Sequence, residues 1–208
     1  MGVVPVAGRG AVSRNGNCYG MFNPEGMLVK YASRESRFYL FGKIATDMND
    51  KIKLFLASGF GLGLLPLVPG SFGALTGLGW HALAMGLGWS DMATRIWCLW
   101  GALFFSAIHY WLTPWAQQHW GDPDPKHFVL DEIVGYLCVP LLSLPMTAWW
   151  QPLAGFCIFR ILDAIKLPGA RYIDRNIHTA SGVLFDDVVS AAYTAVLLSA
   201  ILWQGWQM

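Results

Sequence analysis

Long stretches without any Asp, Glu, Lys or Arg dominate this chain of 208 residues. They cover residues 54–90, 96–121, 133–159 and 188–208. A helix crosses the hydrocarbon core of a bilayer with about 20 apolar residues. Only 13% of the chain is charged and 55% is hydrophobic, whereas roughly a quarter of an ordinary soluble domain is charged. We therefore predict an all-α fold, a polytopic membrane helical bundle.

Prolines and turns divide these stretches into one short helix and five spans. Pro66 and Pro69 interrupt the first stretch, because proline breaks a helix. Residues 54–66 are therefore predicted to form a short re-entrant or interfacial helix before the first full span. Ser71 is expected to cap the helix that follows. The predicted spans are 72–89, 95–113, 133–149, 152–167 and 188–203.

The first 50 residues differ from the rest in composition. They are rich in Gly, Arg, Ser and Asn, and they lack the apolar core of a signal peptide. We predict a weakly ordered N-terminal extension over residues 1–50 and a membrane-embedded domain over residues 51–208. Met27 and Met48 are the expected alternative starts of the native protein, because Met48 stands just before the first apolar stretch.

Positive charge predicts which side of the membrane faces the cytoplasm. The turns at 88–92 and 148–152 define one side, and Arg95 is the basic residue there. The opposite side holds Lys51, Lys53, Lys126, Arg160, Lys166, Arg171 and Arg175. Because Lys and Arg favour the cytoplasmic side, that side is predicted to be cytoplasmic. The net charge of +1 gives no electrostatic basis for binding nucleic acid, and the oligomeric state stays open.

Acidic residues from three predicted spans meet on the same side. Asp131 and Glu132 precede one span, Asp163 ends the next, and Asp186 and Asp187 open the last. Oxygen ligands of this kind suit a hard divalent cation. We therefore predict a Mg²⁺ site built from these five residues.

Basic side chains and a helix start accompany the acids. Arg160, Asp163 and Lys166 are spaced to share one helix face, and Arg and Lys bind phosphate oxygens. The segment PGSFG (69–73) opens a helix, where free N–H groups favour anions. The predicted phosphate contacts are Gly70, Ser71, Arg160 and Lys166. Together with a metal, these groups predict phosphoryl hydrolysis, a reaction that requires strong charge stabilisation.

Simpler interpretations remain for each group. Acids at helix starts also complement the helix dipole, and Arg160 and Lys166 could anchor a helix at the membrane surface. Asp122 and Asp124 have the spacing of the haloacid-dehalogenase nucleophile motif, but the prolines around them predict a loop. His178 is a candidate catalytic residue or an ordinary loop residue.

Two other functions are compatible with parts of the same pattern. A small membrane transporter or channel with a carboxylate-lined ion site would also use intramembrane acids. It would place them near the bilayer centre and often in repeated halves, whereas here they lie at span ends without an internal repeat. A non-catalytic subunit is the third option, and it predicts that the acids can be neutralised without loss of function.

Five sequence blocks resemble the phosphatidylglycerophosphatase A family over residues 54–203. They are SGFGLGLLPLVPGSFGAL (58–75), LDEIVGYL (130–137), FRILDAIK (159–166), DRNIH (174–178) and GVLFDDVVSA (182–191). The resemblance implies an all-helical, Mg²⁺-dependent phosphatase of the bacterial inner membrane, multi-pass and with a cytoplasmic active face. Its phospholipid substrate would be phosphatidylglycerophosphate, whose terminal phosphate is removed to give phosphatidylglycerol in phospholipid biosynthesis.

The same resemblance implies roles for individual residues. The expected catalytic set is Asp163, Asp187, Lys166, Arg160, Arg175 and Asn176. Whether an activated water or an aspartate attacks phosphorus stays open, as does the number of metal ions. Two loops depart from the family: KLPGAR has one proline where the family has a Pro-x-Pro stretch, and HTASG keeps only Gly182 of a Gly-rich run. Both departures concern substrate fit.

Overall fold

The structure is a computed structural model that describes residues 20–22, 28–30, 49–65, 68–177 and 179–206. Its contacts divide the chain into two units, Met1–Asp50 and Lys51–Met208. In the first unit, strands β1 (Gly20–Phe22) and β2 (Leu28–Lys30) pair antiparallel. Most of the predicted extension, including Met27 and Met48, lies outside the described residues.

The described residues from 49 onward form helices joined by turns. The helices are α1 (49–57), α2 (Pro69–Gly86), α3 (Asp91–Trp120), α4 (Leu130–Leu142), α5 (Trp150–Ile165), α6 (Ala170–Asn176) and α7 (Ala180–Trp206), with a 3-10 turn at Leu62–Leu64. The predicted helical class is therefore confirmed for this part of the chain.

Helix α4 is the centre of the helical unit, and it packs against α2, α3, α5 and α7. Its apolar core residues include Ile133, Tyr136 and Leu137, all fully buried. At Gly135, a side-chain carbon would lie 2.7 Å from Phe159 Cζ and 2.9 Å from Asp187 Cβ. Glycine therefore allows α5 and α7 to approach α4 closely, and this approach positions Asp187 beside α4.

The start of α4 is held by two other segments. The backbone N–H of Val129 donates to the carbonyl of Ala57 at 3.1 Å, which ties it to the end of α1. A side-chain carbon at Gly73 in α2 would lie 2.7 Å from the Val129 carbonyl oxygen. These contacts fix the first turn of α4, which contains two of the predicted metal ligands.

Two predicted helix boundaries are wrong for reasons of local backbone chemistry. The span predicted at 133–149 ends at Leu142, and Ser143 is extended. Pro145 explains this end, because proline disfavours helical geometry in the residue before it. The short helix predicted at 54–66 ends at residue 57. Gly59, Phe60 and Gly61 follow with φ of 56°, 63° and 88°, which a right-handed helix excludes.

Two helices of the described chain, α3 and α7, are long and apolar enough to cross a membrane by length and composition. Large apolar side chains are exposed on both of them, among them Trp100, Phe104, Trp111, Val196 and Ile201. Contiguous apolar surface of this kind indicates contact with lipid or a partner. Helices α2, α4 and α5 contain 18, 13 and 16 residues, and the multi-pass arrangement stays a prediction.

Candidate active site

Three carboxylates from two helices form the centre of the site. Asp131 and Glu132 lie in the first turn of α4, and Asp187 lies about two turns inside α7. One oxygen of each carboxylate lies within 4.8 Å of the others. Asp131 and Asp187 are only 7% and 4% exposed. We call Asp131, Glu132 and Asp187 the carboxylate trio.

One oxygen in each carboxylate of the trio lacks the hydrogen-bond partner that buried polar atoms normally have. Within the described residues, Asp131 Oδ1, Glu132 Oε2 and Asp187 Oδ2 are buried with no partner, as is Asp186 Oδ1. An unpaired buried carboxylate is strongly unfavourable. A divalent cation satisfies several such oxygens at once, so the residues present fit the predicted Mg²⁺.

The ionisation of the first turn of α4 reflects the same shortage of positive charge. Burial raises the pKa of Asp131, and the neighbouring Glu132 charge raises it further. Burial also raises the pKa of Glu132 to about 7, although a hydrogen bond with Asp131 and the Arg160 guanidinium oppose the shift. Burial is therefore the main reason that both carboxyl groups disfavour the charged form.

Two further predicted ligands, Asp163 and Asp186, already have basic partners. Arg160 Nη1 lies 2.7 Å from Asp163 Oδ2, and Lys166 Nζ lies 2.7 Å from Asp186 Oδ2. Among the described residues, the five predicted ligands thus divide into the trio, which forms no ion pair with Arg or Lys, and two carboxylates that do. This division was not foreseen from spacing, because spacing does not reveal which partner each side chain chooses.

The start of α2 lies against this group of charges. Arg160 Nε donates to Ser71 Oγ at 3.3 Å, and a side-chain carbon at Gly70 would contact both Glu132 Oε1 and Arg160 Nη2. Gly70 and Ser71 are therefore beside the acids, where helix N–H groups favour an anion. Ser71 is not the helix cap, however, because α2 begins at Pro69, which is pre-organised for a first helical position.

The position of Asp186 and Asp187 corrects another prediction. They do not open a helix, because α7 begins at Ala180. The stabilising effect of the helix dipole falls off within the first turn. The dipole therefore does not account for these two buried acids, and Lys166 is the basic partner of Asp186.

Not every predicted site residue joins the group. Arg175 and Asn176 are exposed on α6, and Asn176 Nδ2 donates to the Tyr172 carbonyl within that helix at 2.7 Å. His178 lies outside the described residues. Asp122 and Asp124 lie in the loop after α3, as predicted, but burial raises the pKa of Asp124, and the charges of Lys166 and Asp174 also act on it.

One residue of the group was not predicted as part of the site. Asp174 lies on α6, and its Oδ1 accepts a hydrogen bond from Lys166 Nζ at 2.5 Å. Its place in the DRNIH block was the available signal. The charge alone did not distinguish it from an exposed loop acid.

Gly70→Ala is expected to lower the rate of the phosphoryl hydrolysis predicted from the sequence at least about tenfold, without unfolding the protein. The added methyl group would displace Glu132 and Arg160, and small misplacements of positioning groups are costly to catalysis. The matched control is Gly79→Ala in the same helix, where a methyl group meets nothing within 4 Å. The control should retain activity and gain slightly in stability, because Ala favours a helix over Gly. Equal activity in both variants would contradict the placement of Gly70.

Comparison with known proteins supports one family. A sequence model of the family described as Phosphatidylglycerophosphatase A matches residues 55–202. A protein of that name from Escherichia coli is 34% identical over 143 residues, which cover 69% of this chain and 79% of the relative. One from Haemophilus influenzae is 32% identical over 153 residues, covering 74% and 89%.

A third relative has a different name. This Bacteroides thetaiotaomicron protein is 32% identical over 155 residues, covering 73% of this chain and 94% of the relative. Its name gives phosphatidylinositol-3-phosphatase as a provisional activity. No solved structure is significantly similar to the chain.

Proposed function

The chain belongs to the phosphatidylglycerophosphatase A family, and from that premise we propose that it hydrolyses the terminal phosphate of phosphatidylglycerophosphate in a Mg²⁺-dependent reaction. It is a phosphatase, that is, a phosphoric monoester hydrolase. The observation that best supports the proposal is the set of buried, unpaired carboxylate oxygens beside Arg160 and the start of α2. A phosphate with its metal needs both kinds of group.

The carboxylate trio would hold Mg²⁺, with Asp186 adjacent through its unpaired Oδ1. When bound, the metal supplies positive charge that stabilises the phosphoryl group. Arg160 would bind phosphate oxygens through the planar donor array of its guanidinium. The N–H groups at Gly70 and Ser71 would add uncharged donors on the same side.

The reaction forms a bond between a water oxygen and phosphorus and breaks the ester bond to the glycerol oxygen. The attacking water loses a proton, for which Asp163 and Asp187 are the candidate acceptors because both are buried in the group of charges. The acceptor carboxyl group then returns this proton to the departing glycerol oxygen. The products are phosphatidylglycerol and inorganic phosphate, and the protons balance.

The membrane would hold the lipid during this reaction. We propose that α3, α7 and the other apolar helices form a multi-pass domain in the bacterial inner membrane. The diacyl tails would stay in the bilayer while the phosphate reaches the carboxylate trio. The basic residues on that side favour a cytoplasmic active face.

A panel of substrates tests this proposal with purified enzyme in detergent or vesicles. Phosphate release is measured with phosphatidylglycerophosphate, phosphatidylinositol 3-phosphate, phosphatidic acid and a water-soluble phosphomonoester. We expect the highest kcat/KM with phosphatidylglycerophosphate. Preference for the inositol lipid would instead support the activity in the name of the Bacteroides relative. If the cysteine of an Asp163→Cys variant can be labelled from both sides of the membrane, a transporter or channel would be favoured instead.

Chelation of divalent cations is expected to lower phosphate release by at least about a hundredfold, because the metal contributes several kcal/mol of charge stabilisation. The measurement compares the enzyme with excess EDTA and after Mg²⁺ is restored. Adding Ca²⁺ in place of Mg²⁺ is the control for the coordination geometry of the site, because Ca²⁺ accepts longer and less regular ligand distances than Mg²⁺. Full activity in excess EDTA would contradict the proposed metal dependence.

A further inference from the structure

The ammonium group of Lys166 is shared between two acids on different helices. Lys166 Nζ lies 2.7 Å from Asp186 Oδ2 on α7 and 2.5 Å from Asp174 Oδ1 on α6. Asp186 is buried, and its other oxygen lacks a partner. Asp174 is partly exposed and lies farther from the trio along the chain. The Lys166 ammonium group therefore connects the buried Asp186 with the more exposed Asp174.

The backbone at Lys166 is unusual and supports a special role. Lys166 ends α5 with φ 50° and ψ 85°, a left-handed conformation that is uncommon for a residue with a side chain. Such conformations concentrate at functional sites, where the surrounding structure holds them in place. Here the turn directs the side chain toward α6 and α7, where both acids accept its hydrogen bonds.

These contacts impose a competition on phosphate binding. Without phosphate, Lys166 neutralises Asp186. A phosphate bound beside the trio would attract the same ammonium group, and a lysine held only by Asp186 would have to give up its single partner. Asp174 removes that difficulty, because it can retain the ammonium through one hydrogen bond while another is exchanged. The three donors of a lysine ammonium permit such an exchange.

We propose that Asp174 is a positioning residue that acts through Lys166, holding the ammonium group where it can exchange Asp186 for a substrate phosphate oxygen. This role rests on the proposed function and deepens it. Asp174 does not touch the phosphate itself. Its effect is therefore expected on phosphate binding more than on the chemical step, because the ammonium contacts the phosphate before and during the reaction.

The test is a double-mutant cycle of Asp174→Asn and Lys166→Met. Asp174→Asn is expected to raise KM for phosphatidylglycerophosphate about tenfold and to change kcat less than about threefold. In the Lys166→Met background, Asp174→Asn should have no further effect. Asp174→Glu should restore most of the affinity, since it keeps the charge. An unchanged KM in Asp174→Asn, or equal and additive losses in both backgrounds, would overturn the proposal.

A binding measurement separates this proposal from the proposed function. The dissociation constant of inorganic phosphate is measured by calorimetry for the full-length protein with Mg²⁺. Asp174→Asn is expected to weaken phosphate binding about tenfold. When Lys166→Met is already present, adding Asp174→Asn should weaken binding no further. If the protein does not hydrolyse the lipid but this cycle holds, the proposed function fails alone. If it hydrolyses the lipid and the cycle is additive, the positioning role fails alone. Melting temperatures of the variants are measured alongside, because Lys166→Met leaves the buried Asp186 without its basic partner.

Discussion

Asp187→Asn is expected to lower phosphate release from phosphatidylglycerophosphate by at least about a hundredfold at Mg²⁺ concentrations that saturate the native enzyme. Asp187 supplies α7's oxygen to the carboxylate trio, and a metal contributes several kcal/mol to the stabilisation of phosphoryl charge. Asparagine keeps the shape of the side chain and one oxygen, so the loss of activity would be due to the loss of the negative charge at position 187. The measurement is an initial-rate assay across a Mg²⁺ titration.

The same variant should show an opposite effect on stability without metal. Removing a buried, unpaired charge relieves a large desolvation cost, so metal-free Asp187→Asn is expected to melt at a higher temperature than the native protein. Mg²⁺ should stabilise the native protein and have little effect on the variant, because only a ligand that binds the folded state raises stability. The control is Asp91→Asn, an acid in the first turn of α3 that pairs with Arg95. Native activity in Asp187→Asn would contradict the metal assignment.

Arg160→Lys is expected to lower kcat/KM about a hundredfold, although it preserves the positive charge. The guanidinium of Arg160 donates to Ser71 Oγ and Asp163 Oδ2 simultaneously. It also lies so close to Gly70 that a side-chain carbon added there would contact Arg160 Nη2. A lysine ammonium is a single point of charge and cannot span these groups. Loss of a preorganised donor to a reacting group typically costs about 10²–10³-fold in rate.

The chain offers a closely matched control for this arginine. Arg95 also pairs with an aspartate, and it donates to the carbonyls of Leu141 and Ser143 at the end of α4. Arg95→Lys should lower the melting temperature, because it removes those contacts, and should leave kcat/KM within about twofold. Equal losses of activity in the two lysine variants would indicate a general effect on folding and would count against a phosphate-binding role for Arg160.

Much of the site was predictable because charged residues are rare in an apolar chain. An acid among long uncharged stretches requires a physical reason, and this drew attention to Asp131, Glu132, Asp163, Asp186 and Asp187. Short turns then predicted which helix ends share a side. The structure brings three of these acids within 4.8 Å, and it puts Gly70 and Ser71 beside them.

Helix boundaries were less predictable, because hydropathy does not distinguish a helix from an extended apolar segment. Residues 143–149 carry no charge and follow an apolar helix, but Pro145 makes them irregular. Helix α7 begins at Ala180, several residues before Asp186. The sequence did not predict this start, because Ala, Ser and Gly there show no helical pattern of apolar residues.

The sequence by itself determined the class of the fold, the side of the bundle on which the charges gather, and the residue types suited to a metal and a phosphate. These depend on hydrophobicity and charge, which are properties of each residue alone. Only the tertiary structure decided which carboxylates are paired and which are not. The pairing of Lys166 with both Asp174 and Asp186 depends on the packing of α5 and α6 against α7, and the trio depends on the packing of α4 against α7. Distances between side chains on different helices follow from that packing, and no pattern along the chain encodes them directly.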